Sequence, residues 1–358
     1  MSTVYLEHRD AHHVPGAGSS DEIEAGLQRA AEAIAACDAL LFTAGAGMGV
    51  DSGLPDFRGT TGLWKDRDVA MTYEDMSDDK WFTEDPAFAW GVNYTQLAMY
   101  RKNASHAGYA TLLKWANTLG KPYCVWTSNI DGMFQKAGFP NELVTTCHGD
   151  MHHLQCSVDS RKCKGLAEDR SDEVWSAEVI PDGLDEEIDP GSLRFIDAPS
   201  LDRPCFKCPR CGRLARPNVW FCGDMNYVVR QSTCKQRDGY NKWLWDLQGR
   251  QAKLVVIECG GGLAIPSVRI EGEDDVDSCG DGSLLVRFNP NDCKVPSSKG
   301  VGIPLGGMRG LALLDAALQK ALTPKRSPTR SSLAAPKSKA AAARKPSPAP
   351  RKPSPAPP

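Results

Sequence analysis

A glycine-rich segment directly after a short apolar run places the strongest constraint on how this chain can fold. The run Ala39-Leu40-Leu41-Phe42 predicts a buried parallel strand, and glycines follow it at positions 45, 47 and 49. Glycines at such a point let the backbone turn sharply and bring its N–H groups against a pyrophosphate. Their spacing differs from G-x-G-x-x-G, and no acidic residue ~20 positions on lies in a clear second strand, which disfavours a nicotinamide dehydrogenase. The segment therefore predicts a nucleotide site with a different chemistry.

Four further segments have the composition of buried strands: Tyr123–Thr127, Leu143–Cys147, Leu254–Glu258 and Leu284–Phe288. Each is followed at once by polar or glycine-rich residues. In an open parallel sheet, ligands bind beyond the carboxyl ends of the strands. The sequence therefore predicts a doubly wound α/β fold, a Rossmann-like parallel sheet whose five strand ends form one crevice.

Helices are predicted at both ends of this region. Ser19-x-x-Glu22 has the spacing of a capping box, and apolar residues between Ile23 and Ile34 fall on one helical face. A second amphipathic segment runs from Met308 to Leu322. We expect the first helix to lead into the first strand.

Two cysteine pairs, Cys156-x6-Cys163 and Cys208-x2-Cys211, can supply four thiolates to one tetrahedral zinc ion. Cys205 is an alternative ligand, because Cys205-x2-Cys208 has the same spacing as the second pair. A closed set of four thiolates leaves no coordination position for a reacting water. The zinc ion is therefore expected to be structural.

Thirteen cysteines would suit a secreted disulfide framework, but the first ten residues have no apolar core and begin acidic. They predict neither a signal peptide nor a mitochondrial presequence. No run approaches the ~18 apolar residues that a membrane span needs. We expect no membrane partner and a reducing compartment, the nucleus or the cytoplasm, where clustered cysteines more often hold metal.

Several motifs resemble those of one enzyme family. The segment Gly53–Gly59, GLPDFRG, resembles the G-[IL]-P-D-F-R segment of the sirtuins, the NAD-dependent protein deacylases. Ser128–Gly132 is similar to the family's Q-N-I-D-G, His148 and the next glycine to its catalytic H-G, and Cys208–Gly212 to half of its zinc site. The motifs follow the family order over about residues 25 to 320. The resemblance implies an NAD-dependent protein-lysine deacetylase with NAD and zinc as cofactors.

The resemblance also implies a role for individual residues. Residues expected to bind NAD are Gly45, Ala46, Gly47, Met48, Asp56, Phe57, Arg58, Ser128, Asn129, Ile130, Asp131, Gly260, Gly261 and Asn289. Within this set, Asn129 and Asp131 would place the ribose and carboxamide, and Phe57 would shield the reactive carbon. His148 would be the general base toward a ribose hydroxyl, which an imidazole titrating near neutrality can be without a metal.

The sequence departs from the family pattern at both ligand sites. Gly260-Gly261-Gly262 stands in place of Gly-Thr-Ser, so backbone N–H groups would do more of the phosphate binding. The segment Val219–Asp224 resembles the V-V-F-F-G-E strand that pairs with the substrate backbone, which implies substrate contacts at Val219, Phe221 and Gly223. Trp220 replaces a smaller apolar residue there, and Cys222 stands at an aromatic position. Peptide capture by backbone hydrogen bonds would survive these changes while acyl selectivity shifts.

Four regions are predicted along the chain. Residues 1–18 form a flexible extension, and the NAD-binding catalytic domain comprises 19–150 and 217–323. A zinc-binding module with a long acidic loop occupies 151–216, and a disordered basic tail occupies 324–358. Between positions 168 and 189, ten acidic residues stand against a single arginine. This acidic stretch is expected to be either a working part of the module or a solvated insertion.

The tail has a composition opposite to that of the rest of the chain. It carries nine Lys or Arg, no Asp or Glu and ten prolines, which leaves residues 1–323 with a net charge of −12. The heptapeptide RKPSPAP occurs at 344–350 and again at 351–357. Such a segment cannot form a packed core. It is expected either to bind nucleic acid or to be a solubilising extension, while acyl-lysine proteins, histones among them, are the expected substrates.

Two other functions remain open. Protein ADP-ribosyl transfer or NAD hydrolysis would need the same nicotinamide pocket but no acyl channel, and the departures within 219–224 keep it open. A non-catalytic, NAD-sensing chromatin-binding module would use the basic tail. His148 opposes this last hypothesis, since binding alone needs no general base.

Overall fold

The computed structural model describes residues 19–55, 71, 73–158, 162–163 and 173–323. Its strands are β1 Ala39–Ala44, β2 Tyr123–Thr127, β3 Val144–Thr146, β4 Gly149–Cys156, β5 Val174–Ser176, β6 Ala215–Val219, β7 Leu254–Cys259, β8 Leu284–Phe288 and β9 Gly300–Ile303. Its helices are α1 Ser20–Ala36, α2 Tyr73–Met76, α3 Trp81–Glu84, α4 Pro86–Lys102, α5 Ala107–Thr118, α6 Met133–Lys136, α7 Gln231–Gly249, α8 Ser267–Ser278 and α9 Gly307–Leu322.

Six strands form a parallel sheet in the order β3-β2-β1-β7-β8-β9. Every residue of β1, β7 and β8 is buried, because helices cover both faces of the sheet. Leu40 and Phe42 of β1 pack in the core that contains residues of α1, α5 and α9. Leu41 packs on the other face with residues of α7 and α8. The predicted doubly wound fold is confirmed, and its chain order reverses between β1 and β7.

The predicted strands and terminal helices are present. At the start of α1, Ser19 Oγ accepts a hydrogen bond from Glu22 N at 3.2 Å, and Ser19 N donates to Glu22 Oε2 at 2.8 Å. This is the capping box that the spacing predicted. The sequence did not predict β9, whose glycines at 300 and 302 weaken the signal of a strand.

A second sheet of three antiparallel strands, in the order β5-β4-β6, forms the small insert. Its strands include residues 149–150 and 217–219, which the sequence had assigned to the main domain. The described part of the acidic stretch is more structured than a solvated loop, because Ile180, Leu184 and Ile188 are buried. Tyr94 of α4 holds it through a 2.9 Å hydrogen bond from Leu184 N to Tyr94 Oη. Apolar residues between the acidic ones therefore anchor this stretch.

Some of the predicted features lie outside the described residues. These are the extension at 1–18, part of the acidic stretch, the tail at 324–358, and Asp56, Phe57 and Arg58. Within the described ranges, no helix has both the length and the apolar character needed to cross a bilayer.

Candidate functional site

Two glycine turns meet at the carboxyl ends of β1 and β7. Gly45 N donates to Cys259 O at 3.0 Å, and Gly47 N donates to Gly260 O at 3.1 Å. A Cβ atom on Gly45 would lie 2.7 Å from Gly260 O, and one on Gly260 would lie 2.2 Å from Met48 N. Gly260 also has a φ of +67°. Glycine is required because the two backbones touch, and the turns present a surface without side chains that fits a pyrophosphate.

Buried polar and charged side chains hold the second turn, Gly260–Gly262, in place. Gly261 O accepts hydrogen bonds from Asn289 Nδ2 and Arg269 Nε, both at 3.0 Å. A Cβ atom on Gly261 would lie 2.6 Å from Glu258 Oε1, and Glu258 is paired at 2.7 and 2.9 Å with the fully buried Arg287. The Glu258 carboxylate thus occupies the space that the family's threonine would need. This explains the glycine at 261, and it shows a role for Arg269 that the sequence did not predict.

Asn129 joins the end of β2 to the first glycine turn. Its Nδ2 donates to Gly45 O at 3.0 Å, and its backbone N donates to Thr127 Oγ1 at 3.0 Å. Thr127 Oγ1 in turn donates to Ala44 O at 2.7 Å. The side chain of Asn129 is therefore fixed at the crevice before any ligand binds.

Asp131 is a buried carboxyl group at the same edge of the sheet. Its Oδ1 accepts a hydrogen bond from Met133 N at 2.9 Å, and its backbone O lies 3.1 Å from His152 Nε2. Burial raises the pKa of Asp131 to about 6. Near neutral pH the group is therefore close to its titration point and can either accept a hydrogen bond from an amide or donate one.

His148 lies between β3 and β4, where hydrogen bonds on both sides tie the chain to the Asn129 segment. Cys147 N donates to Thr127 O at 2.9 Å, and Met151 N donates to Ile130 O at 3.1 Å. The His148 ring is half-buried, and its Nε2 lies 3.2 Å from Ser267 Oγ at the start of α8. Burial lowers the pKa of His148 below its ordinary value near 6.5, so the ring is neutral at pH 7. A neutral imidazole at this edge can accept a proton.

Three of the residues predicted to bind NAD, Ala46, Met48 and Ser128, carry side chains and differ from the glycines in how they are exposed to the crevice. Met48 is fully buried in the core, so only its backbone faces the turn; its carbonyl lies 2.9 Å from His106 Nε2. Ala46 and Ser128 are half-buried beside the crevice, and Ser128 N donates to Ala44 O at 3.2 Å.

The expected substrate segment is only partly a strand. β6 ends at Val219, and Trp220 N donates to His148 O at 3.0 Å. Phe221 is buried, whereas the Trp220 side chain is 54% exposed and stacks on Tyr227 with ring centroids 6.3 Å apart. Gly223 has a φ of +72° and turns the chain away. The Trp220 ring therefore borders the surface beside His148.

The four cysteines of the two predicted pairs come together in the insert. All their Sγ atoms lie within 4.8 Å of one another, with Cys156 and Cys211 at 3.6 Å and Cys163 and Cys208 at 3.7 Å. Zn–S bonds of ~2.3 Å in a tetrahedron place sulfur atoms roughly 3.8 Å apart. The donor set fits a structural zinc ion, and Cys205 is not part of the cluster among the described residues.

Comparison with known proteins identifies a family and a fold for this chain. The model of the Sir2 family matches residues 45–239. A solved Sir2 homologue–NAD complex superposes with a TM-score of 0.53 at 18% identity, covering 87% of this chain and 98% of its own. A likeness at this identity establishes the fold.

Two curated relatives carry different activities in their names. NAD-dependent protein deacylase 2 of Pyrobaculum aerophilum is 30% identical over 184 residues, 51% of this chain and 57% of the relative. A probable bifunctional ADP-ribose hydrolase/ADP-ribosyltransferase of Fusarium oxysporum f. sp. cubense is 29% identical over 272 residues, 74% of this chain and 42% of the relative. The chain thus spans about half the length of the curated relatives it matches.

Proposed function

The chain belongs to the Sir2 family, and from this premise we propose that it is an NAD-dependent protein-lysine deacetylase that releases nicotinamide and acylated ADP-ribose. The observation that carries the proposal is the position of His148. The residues around it, Cys147 and Met151, are hydrogen-bonded to Thr127 and Ile130 on either side of Asn129, and Asn129 in turn contacts the first glycine turn; this supports a role for His148 at the proposed NAD site. A protein that only bound NAD would not need a base there.

Bound NAD would supply an ADP-ribosyl group with nicotinamide as its leaving group. The turns at Gly45–Gly47 and Gly260–Gly261 would bind the pyrophosphate. The N–H groups of Gly45, Gly47 and Gly260 donate to carbonyl groups of the protein, so those of Ala46 and Gly261 would donate to the phosphates. Asn129 and Asp131 would orient the ribose and carboxamide. His148 would accept the proton of a ribose hydroxyl, which its low pKa permits at neutral pH. The remaining members of the proposed NAD-binding set are Met48, Asp56, Phe57, Arg58, Ser128, Ile130 and Asn289.

The peptide substrate would lie along Val219, Phe221 and Gly223, with the acyl-lysine directed toward His148. The exposed Trp220 ring would then form part of the channel wall, because its edge meets the His148 ring at a centroid distance of 6.3 Å. Proteins carrying acyl-lysine, histones among them, are the proposed substrates, in the nucleus or the cytoplasm.

Protein ADP-ribosyl transfer or NAD hydrolysis is the second candidate. The match to the Fusarium oxysporum relative favours it, because that match covers 74% of this chain. The departures at Trp220 and Cys222 are compatible with it, since these reactions need no acyl channel. Both candidates use the same nicotinamide pocket and differ in the acceptor of the ADP-ribosyl group.

Incubation of the full chain with NAD and a panel of acyl-lysine peptides separates the two candidates. We expect mass spectrometry to find acylated ADP-ribose in amounts equal to the free lysine and nicotinamide formed. Bare ADP-ribose or protein carrying ADP-ribose, with the peptides unchanged, would contradict the deacetylase proposal and support the alternative.

For the tail, we propose binding to nucleic acid through its nine positive charges. Deletion of residues 324–358 is expected to remove DNA association and leave peptide deacylation unchanged, since the remainder carries −12. Binding by the full chain should weaken with salt at a log–log slope of roughly −0.9 per phosphate neutralised. Equal DNA binding by the full and shortened chains at low salt would contradict this role.

A further inference from the structure

A single side chain from a distant part of the sequence contacts the imidazole of His148. Ser267 is the first residue of α8, and its Oγ lies 3.2 Å from His148 Nε2 across 119 positions of sequence. α8 follows the Gly260–Gly262 turn directly, so the contact links the proposed base to the element that begins at the proposed phosphate turn. No NAD-binding or catalytic role assigned above includes Ser267.

The hydroxyl of Ser267 has no other structural task in the described part of the chain. The N-cap of α8 is Pro266, which offers no side-chain cap, and no capping bond from Ser267 is present. Its one hydrogen-bond partner among the described residues is the His148 ring. On another side of the ring, the Trp220 indole makes an edge contact at an interplanar angle of 73°. Ser267 and Trp220 together therefore fix the direction of the imidazole.

We propose that Ser267 is a positioning residue for His148: Ser267 Oγ accepts the hydrogen bond of Nε2–H and leaves Nδ1 as the nitrogen that takes the proton. The inference rests on the proposed function of His148. In a neutral imidazole one nitrogen donates and the other accepts, so the partner of one nitrogen sets the role of the other. When Nδ1 accepts the proton of a ribose hydroxyl, the ring becomes an imidazolium and the bond from Nε2–H to Ser267 Oγ becomes charge-assisted.

The electrostatic surroundings leave this bond as the main polar contact of the ring. Glu271 of α8 and Arg237 of α7 act on the neighbouring Cys147 thiol, and Tyr227 lies behind Trp220. For His148, the cause of the lowered pKa is burial. The positive end of the α8 dipole also disfavours an imidazolium. An acceptor at Nε2 opposes both effects, and its removal should lower the pKa of His148 further.

Substitution of Ser267 in the full chain tests the inference through two measurements. In S267A we expect the pKa of His148, followed by NMR titration of its ring without NAD, to fall by about 0.5 to 1 unit, the difference between a charge-assisted and a neutral hydrogen bond. We expect kcat for deacylation to fall about tenfold, part of the ~10²–10⁴ that a general base contributes, with the KM for NAD within threefold. The acid limb of the kcat–pH profile should move to lower pH, because the rate is lost as pH falls through the pKa of the base.

S267T and S278A are the matched variants. Threonine keeps a hydroxyl at position 267 and should restore the pKa and most of kcat. Ser278 lies at the other end of the same helix, where its Oγ donates to Asp275 O at 3.0 Å, so S278A should leave both quantities unchanged.

Three results would overturn the inference. An unchanged kcat and acid limb in S267A would show that the hydroxyl does not act on His148. A rise in the pKa of His148 would show that Ser267 donates to Nε2 instead of accepting from it. A lowered kcat that S267T leaves equally low would show a packing effect. If H148A itself keeps deacylation, the proposed function fails first, which is a different outcome from failure of S267A alone.

Discussion

Replacement of His148 by alanine is expected to lower deacylation by ~10²–10⁴, the range that a general base contributes. Burial lowers the pKa of the His148 imidazole, so the ring is neutral at pH 7 and can accept a proton at this edge of the sheet. NAD binding should persist, because the glycine turns and Asn129 are fixed by contacts that do not involve the imidazole. Release of free lysine from an acylated peptide and isothermal titration with NAD measure the two quantities separately.

His153 provides the matched control for this substitution. It is a half-exposed histidine of β4 that pairs with Asp150 at 2.9 Å. H153Q should keep deacylation within about threefold of the unmodified protein. Deacylation by H148A at that same level would remove His148 from the mechanism, and loss of NAD binding in H148A would show that its role is structural.

The parts of the fold that the sequence predicted are those with a local signal. A buried parallel strand favours a continuous apolar run, and the predicted strands at 39–42, 123–127 and 254–258 have one, while those at 143–147 and 284–288 begin with one. The capping box of Ser19 and Glu22 is likewise contained within four residues. The glycine turns at 45, 47 and 260 could also be predicted, because each directly follows a predicted strand in the sequence. That the two turns contact each other could not be predicted in this way.

The contacts that the sequence could not predict join residues far apart in the chain. Ser267 meets His148 across 119 positions, and Arg287 pairs with Glu258 across 29. In neither pair does the number of intervening residues match a known motif. A charged residue within an apolar strand must have a partner, but the sequence does not show which residue it is. The conformation of the expected substrate segment also depends on one residue: Gly223, with a positive φ, ends the extended backbone that the resemblance implied, while substrate binding at Val219, Phe221 and Gly223 stays a prediction. The sequence also did not predict that Leu184 is buried among its acidic neighbours. The composition of a segment gives its charge but does not show which side chains face the core.

Substitution of Cys208 by serine is expected to release zinc and unfold the insert. Structural zinc sites contribute about 10–16 kcal/mol of binding free energy, which in such small modules is folding free energy. Close to the metal site, the small apolar cluster consists of the cysteines themselves with Val158 and Trp175, so this part of the insert depends most on the metal. Elemental analysis gives the zinc content, and circular dichroism with limited proteolysis reports the folding of the insert.

Cys205 supplies the control, because it is a half-buried cysteine three positions away that is not part of the cluster. C205S should keep one zinc ion per chain. Zinc retained in C208S, or lost in C205S, would contradict the ligand set of Cys156, Cys163, Cys208 and Cys211.

Loss of zinc should also lower deacylation, because the insert is connected to the segment that carries His148. β4 runs from Gly149, next to His148, to the zinc ligand Cys156, and it pairs with β6, whose Ala215 O accepts a hydrogen bond from Trp90 Nε1 at 2.9 Å. The same sheet thus connects the residue next to the proposed base, at one end, with the four-cysteine cluster at the other. Although a closed set of four thiolates leaves zinc no position for a reacting water, we expect C208S to lose deacylation together with its insert, and C205S to keep it. Full deacylation by a zinc-free C208S protein would show that the parallel sheet alone positions His148.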